Sequence, residues 1–279
     1  MSRFKFFDSR QLAELHGRNR ADAPNPITSE DLAEFLRNPH FWQKMMADQL
    51  ALEGQALHKW MQGVYDDLFK GTHFIIEVPP PPVLTAKQRQ SLQKYAFRLF
   101  FVPPIRQDEY PPSFIPPVWE HFLDTEKIDF HPLSGRWVAV EVIPKPDYLD
   151  PYHYPNDKLS EDLGIKTRFG ISWDRVNSAR SFLLKTALLT GFPRRSVRLP
   201  TAEEWCFLSN LFHWLNAHRD EKLPNLWNSK GWEWVENSYD VNDVSLIIGD
   251  CHRELSFTVN ALKRFDTLGS VAFRVLCPL

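Results

Sequence analysis

Cys251 and His252 are adjacent residues whose side chains could carry out thiol chemistry. A thiolate can act as a nucleophile or as a soft metal ligand, and a neighbouring imidazole can assist it. The other two cysteines, Cys206 and Cys277, lie far from this pair and from each other in the sequence, so we predict no disulfide. An odd number of unpaired cysteines is typical of a reducing compartment, and we therefore expect a cytoplasmic protein.

The segment from Val197 to Trp205 predicts a short strand that leads directly into a helix. Pro200 argues against an earlier helix start, Thr201 can cap the helix with its hydroxyl, and Glu204 can reach back to the Thr201 amide. Trp205 then gives the first turn an apolar anchor. A capping box of this kind is a common structural feature and by itself indicates no function.

Two later segments complete a pattern: residues 231–235 read Gly-Trp-Glu-Trp-Val, and residues 270–275 read Ser-Val-Ala-Phe-Arg-Val. In this order and spacing the three segments resemble the formylglycine-generating enzyme (sulfatase-modifying factor) family, including the variable proteins of diversity-generating retroelements. The resemblance covers residues 135–279 and implies a C-type lectin-like fold. The residues that carry it are Arg198, Leu199, Pro200, Thr201, Glu204, Trp205, Trp232, Glu233, Trp234, Phe273 and Arg274.

The second half of the chain, residues 131–279, is therefore predicted to be an α+β domain of this lectin-like class. Its strongest predicted strand is 136–143. The resemblance implies that this strand pairs with the last one, 271–276. The predicted helices are 157–163 closed by Gly164, Ser172 to Leu189 closed by Gly191, and Thr201 to His218.

The first half, residues 1–130, shows no family resemblance and is predicted to be a mostly helical region. We place the boundary between the halves near residue 130. The predicted elements are a helix capped by Thr28, a long helix from His40 to Lys70, a strand at 74–78 and a helix from Thr85 to Phe101.

Composition narrows the possible functions. The net charge is -2 and charged residues make up 24% of the chain, which argues against binding to nucleic acid because such proteins carry a basic excess. No segment has the roughly 20 apolar residues that a membrane span requires. The first residues contain no long apolar run with a cleavage site, so we expect no secretion signal and no membrane partner.

The family resemblance implies an oxidase in which two cysteines hold a copper ion in a Cys-x-x-x-x-Cys arrangement. Cys251-His252-Arg253 matches the first half of that arrangement, but Ser256 stands at the position of the second cysteine. A hydroxyl is a poor Cu(I) ligand, so we expect neither copper nor oxidase activity. If the chain is an enzyme, its site residues would be Cys251, His252 and Ser256.

The resemblance also implies calcium positions near the Trp-Glu-Trp segment. Ser229-Lys230-Gly231 replaces the Gly-Asn-Val of the family, which removes an asparagine ligand and adds a positive charge. Glu233 is then the remaining calcium candidate, and one carboxylate does not make a site.

A scaffold without its catalytic parts can serve as a recognition module, and we expect a protein or peptide ligand. Amide and aromatic side chains supply adaptable hydrogen bonds and rigid contact area, although Asn and Asp also favour ordinary turns. The alternatives are a thiol- or copper-dependent oxidase that uses Cys251, and a structural subunit of a larger assembly. The predicted binding residues are Asn225, Trp227, Asn228, Asn237, Tyr239, Asn242, Asp243 and Asn260.

Overall fold

The computed structural model describes residues 39–279 apart from 121–122, 132, 144–156, 179, 227–230, 240–242 and 250–256. The chain forms two compact units, Met1–Gln55 and Ala56–Leu279. The second unit combines helices with two sheets, which confirms the predicted α+β class. The helix predicted after Thr28 lies outside the described residues.

The described residues form six α-helices and eight strands. The helices are α1 Pro39–Leu68, α2 Ala86–Lys94, α3 Lys158–Leu163, α4 Trp173–Asn177, α5 Phe182–Thr190 and α6 Ala202–Arg219. The strands are β1 Phe97–Val102, β2 Pro117–Trp119, β3 Arg136–Glu141, β4 Trp232–Ser238, β5 Val244–Gly249, β6 Phe257–Lys263, β7 Val271–Phe273 and β8 Leu276–Pro278.

The smaller sheet has the order β1-β3-β8, with both neighbours antiparallel to β3. The predicted pairing of the 136–143 strand with 271–276 is confirmed only at Leu276, because the segment that pairs with β3 is β8, 276–278. It is wrong for 271–273, which pair in parallel with β4 in the other sheet. The chain changes sheets at Val275, because its amide bonds the Glu141 carboxylate and its carbonyl accepts from the Glu141 amide.

The larger sheet has the order β2-β6-β5-β4-β7. Its three central strands are antiparallel, whereas β2 and β7 run parallel to their neighbours at the two edges. Helix α6 contacts strands of both sheets, and every residue from Ala202 to Phe212 is buried. The first part of α6 is therefore buried on all sides inside the core, including its polar residues Glu203 and Glu204.

The predicted helix boundaries are confirmed where local caps set them. Thr201 and Thr85 both close capping boxes, and Gly164 and Gly191 both end helices in the left-handed conformation. The single helix predicted from Ser172 to Leu189 is wrong. Two helices, α4 and α5, occupy this range because Ser181 turns back onto Ser178 and caps a new helix with its hydroxyl.

Two further predictions for the first half are wrong. The helix capped by Thr85 ends at Lys94, and residues 97–102 form β1 instead. Residues 74–78 belong to no sheet, because the Gln62 carboxamide of α1 bonds the Ile76 carbonyl and the Val78 amide in place of a neighbouring strand. Since β1 pairs with β3, the unit Ala56–Leu279 continues across residue 130.

Candidate recognition surface

The three landmark segments of the sequence meet at the Glu233 carboxylate. Trp205 Nε1 donates to Glu233 Oε2 at 2.5 Å, and the Arg274 guanidinium bonds both carboxylate oxygens at 3.0 and 3.2 Å. Arg274 also donates to the carbonyls of Glu141 and Ile143. All three side chains are buried, so these residues hold helix α6, strand β4 and the C-terminal segment together.

A second part of this network fixes the start of α6. Arg198 bonds both oxygens of Glu204 at 2.7 Å, and the Thr201 amide donates to the same carboxylate at 3.0 Å. Burial opposes the charge on Arg198, but the Glu204 carboxylate outweighs it and raises the Arg198 pKa. The strand-to-helix junction predicted from 197–205 is therefore held by a charged pair as well as by its cap.

Arg168 is a central residue that the sequence analysis missed. Its side chain is fully buried and bonds Glu141 and Asp157 through four contacts of 2.7–2.8 Å. Glu141 also accepts from the Val275 amide, a residue 134 positions away in the sequence. No short motif marks these residues, because partners this far apart are brought together only by the fold.

Asn237 was predicted to bind a ligand, and this is wrong. It is 0% exposed, its Oδ1 accepts from the Ala202 amide at 2.7 Å, and its Nδ2 donates to the Asp129 carbonyl at 3.0 Å. A buried amide with its bonding groups engaged by the protein has no capacity for a ligand. Trp227, Asn228 and Asn242 lie outside the described residues.

The other predicted binding residues are accessible to different degrees. Asn225 and Asp243 are exposed, while Tyr239 and Asn260 are half-buried. The Tyr239 hydroxyl accepts from the Asp124 amide at 3.1 Å, and Asn260 Oδ1 accepts from the next amide at 2.7 Å. Tyr239 and Asp243 lie at one end of the large sheet, where β4 ends and β5 begins.

A cavity of about 530 Å³, here called the β6 cavity, opens at this end of the sheet. Phe265, one of the residues that line it, is 58% exposed. Apolar walls with a few charged groups at the margin are typical of sites that bind a side chain or a small molecule. The lining residues are Leu123, Tyr239, Val244, Ala261, Leu262, Lys263, Phe265 and Asp266.

A second cavity of about 270 Å³ lies beside the first turn of α6, where Glu203 forms part of its wall. Burial raises the pKa of the Glu203 carboxyl, although the Asn237 amide donates to it. Tyr110 also lines this cavity, and its hydroxyl donates to the Glu203 carbonyl at 3.3 Å. Folding therefore places an unfavourable charge at this position near neutral pH.

Replacing Glu203 with Gln is expected to raise the free energy of unfolding at about pH 7.5. A carboxyl whose pKa is raised by folding destabilises the folded state when ionised, and this cost disappears as the pH falls below its unfolded pKa of about 4.3. Urea unfolding at about pH 7.5 and at about pH 4 measures the effect. Exposed Glu126→Gln is the control, and an equal gain for Glu203→Gln at about pH 4 would contradict the electrostatic cause.

Calcium does not fit the arrangement around Glu233. Both carboxylate oxygens are bonded by Arg274, and a calcium ion would need several oxygen ligands in place of that cation. Within the described part of the chain, no group of three or more His, Cys, Asp or Glu residues could hold a metal ion. Cys251, His252 and Ser256 lie outside the described residues, so the expectations for copper and thiol chemistry stay predictions.

The described helices include none that is long and apolar enough to cross a membrane. Comparison of the chain with family models, with curated proteins and with solved structures finds no match. The resemblance to the formylglycine-generating enzyme family therefore depends on the three sequence segments themselves.

Proposed function

We propose that this chain is a non-catalytic recognition module on a C-type lectin-like scaffold of the formylglycine-generating enzyme kind. Its ligand is a protein or peptide that binds at the β6 cavity. The observation that carries the proposal is a contrast between the buried landmark side chains and the accessible side chains of the cavity. The polar landmark residues bond one another in the protein interior, whereas the β6 cavity presents exposed Phe265 and Lys263 beside half-buried Tyr239 and Asp266.

The buried network supports this proposal because it makes a rigid platform. Arg274 and Arg168 each tie a carboxylate on one strand to backbone groups of another segment. Binding surfaces on rigid elements lose less conformational entropy when a ligand binds. The β6 cavity lies on strands of the same sheet that contains Glu233, so its walls are held by this platform.

The margin of the β6 cavity has the chemical mixture of a recognition site. Phe265 supplies an exposed aromatic surface, and the Lys263 ammonium lies 5.7 Å from the centre of its ring. Tyr239 contributes a second aromatic wall, and Asp266 adds a charge opposite in sign to Lys263. Aromatic anchors surrounded by polar groups often dominate the binding energy of protein interfaces.

Two of the three thiols support a non-catalytic role. Burial raises the pKa of both Cys206 and Cys277, so each thiol stays protonated near neutral pH. A buried, protonated thiol is a poor nucleophile and a poor metal ligand. The oxidase alternative therefore depends on Cys251 alone.

A peptide-display selection on the immobilised full chain tests the proposed function. Peptides that are enriched should lose affinity at least about tenfold, roughly 1.4 kcal/mol, on the Phe265→Asp variant, because a carboxylate at the cavity disfavours apolar contact. Leu188→Asp is the matched control, since Leu188 is 68% exposed on helix α5, away from the β6 cavity. Isothermal titration calorimetry measures the affinities.

Two results would contradict this function. One is the enrichment of no peptide, or of peptides that bind Phe265→Asp as well as they bind the natural chain. The other is stoichiometric tight binding of copper together with oxidation of a peptide thiol, both lost in Cys251→Ala, which would establish the oxidase alternative. Sedimentation of the chain alone tests the third alternative, a subunit of a larger assembly.

A further inference from the structure

Beyond the end of β2, the outer edge of β6 has no neighbouring strand in the part of the chain that the structure describes. Strand β2 pairs only with residues 257–259, and the last bond runs from the Glu120 amide to the Val259 carbonyl at 3.1 Å. The Leu123 amide donates to the Glu120 carbonyl at 2.9 Å. Across the described residues, the outer side of 260–263 therefore has no neighbouring strand.

The backbone groups that point outward from this edge follow from the alternation of a strand. The Val259 carbonyl points toward β2. Backbone groups alternate along a strand, so the backbone amides and carbonyls of Ala261 and Lys263 point to the same side. The Ala261 amide is bonded by Asn260 Oδ1 at 2.7 Å, and the Lys263 carbonyl accepts from the Asp266 amide at 3.0 Å. The Ala261 carbonyl and the Lys263 amide are left without a partner among the described residues.

This pair of free groups favours one strand direction. In a parallel pair, one residue of the added strand bonds two residues of the existing strand. Its amide donates to the carbonyl of residue i, and its carbonyl accepts from the amide of residue i+2. The Ala261 carbonyl and the Lys263 amide have this relation. An antiparallel partner would need the amide and carbonyl of the same residue, and the Ala261 amide is already held by Asn260.

We propose that an extended segment of a partner protein adds to the large sheet as a strand parallel to β6. It lies beside residues 261–263, beyond the end of β2. This inference rests on the proposed function and names its ligand class. Main-chain bonds to Ala261 and Lys263 set the register, and an apolar side chain of the segment enters the β6 cavity. Natural proteins usually protect an open edge, and this one lies beside exposed Phe265.

The chemistry of the ligand follows from the walls of the cavity. Two backbone bonds contribute modestly, so most of the affinity comes from a large aliphatic or aromatic side chain that packs on Leu123, Leu262 and Phe265. Residues beside that side chain meet the charges of Lys263 and Asp266. The ligand is therefore an extended peptide with one large apolar anchor.

N-methylation of a selected peptide tests strand addition. Each backbone amide of an enriched peptide is methylated in turn, and binding to the full chain is measured. Methylation of the residue that donates to the Ala261 carbonyl should lower affinity at least about tenfold, while methylation of the residues on either side changes it less than about threefold.

The chain offers a matching pair of variants. Lys263→Pro removes the outward amide and should lower affinity at least about tenfold, whereas Lys263→Ala keeps that amide and should retain most of it. Proline is tolerated at an edge position whose amide faces away from the sheet, and the melting temperature of each variant checks its folding. The methylation series decides the question if Lys263→Pro does not fold.

The outcomes separate the two proposals. Peptides that bind through Phe265 but tolerate methylation at every position, and bind Lys263→Pro normally, would overturn strand addition and leave the recognition function. The absence of any enriched peptide would overturn both. A dimer of the chain that Lys263→Pro abolishes would show that a second copy occupies the edge, and this would overturn the partner segment proposed here.

Discussion

Replacing Arg168 with Met is expected to lower the free energy of unfolding by about 3–5 kcal/mol. Arg168 is fully buried between Glu141 and Asp157, and the methionine would leave two carboxylates without their cation in the core. Glu141 also accepts from the Val275 amide, so the position at which the chain changes sheets would loosen as well.

Urea unfolding followed by tryptophan fluorescence measures this loss, with Lys158→Met as the control. Lys158 pairs with Glu161 on an exposed helix surface, and its replacement should change stability by less than about 1 kcal/mol. A variant of Arg168 that unfolds at the same urea concentration as Lys158→Met would contradict the structural role of the buried pair.

The pH dependence of the natural chain provides a second measurement. Burial opposes ionisation of Asp157, but the Arg168 guanidinium and the Ser160 hydrogen bonds outweigh it and lower its pKa. This contribution is present above the unfolded pKa of about 3.9 and is lost as the pH falls through the folded pKa. Without the cation, burial should raise the pKa of Asp157, so Arg168→Met should lose less stability near pH 4 than near pH 7.

Glu233→Leu is expected to lower the free energy of unfolding by about 3–5 kcal/mol, because it leaves a buried, charged Arg274. The same change removes the hydrogen bond from Trp205 Nε1 to the Glu233 carboxylate, which adds the cost of a lost buried hydrogen bond. The loss should be visible as a lower urea midpoint and as a change in tryptophan emission, since Trp205 is 1% exposed.

A double-mutant cycle with Arg274→Met separates the charge from the packing. If the two side chains act as an ion pair, the double variant should be more stable than the sum of the two single losses by about 0.5–3 kcal/mol. It should not recover fully, because Trp205 Nε1 and the carbonyls of Glu141 and Ile143 still lose their partners. Strictly additive losses would argue against the pair.

The parts of the fold that could be predicted from sequence are those decided within a few residues. The Thr201 cap depends on Glu204, three positions away, and the end of α5 depends on the left-handed conformation of Gly191. The apolar run at 136–143 likewise indicated β3 correctly. The same local signals failed at Ala96, where the chain enters the left-handed region and leaves α2 for β1.

The candidate site could be predicted only in outline. Amide and aromatic composition between the landmark segments indicated Tyr239, Asp243 and Asn260 as binding residues, and it indicated buried Asn237 equally. In the sequence, an asparagine in an exposed turn cannot be told from one that is buried against the start of α6. Its role is set by the Ala202 amide, 35 positions away, which no local pattern contains.

By itself, the sequence determined the α+β class, the capped start of α6 and the residues of the three landmark segments, because propensity, capping and apolar patterning act over one or two turns of chain. Only the tertiary structure decided that Arg168 joins Glu141 to Asp157, that the C-terminal segment divides between two sheets, and that residues 260–263 of β6 lie beside a cavity with no neighbouring strand among the described residues. These features join segments distant in sequence, and their energies depend on burial, which exists only once the sheets and α6 have packed together.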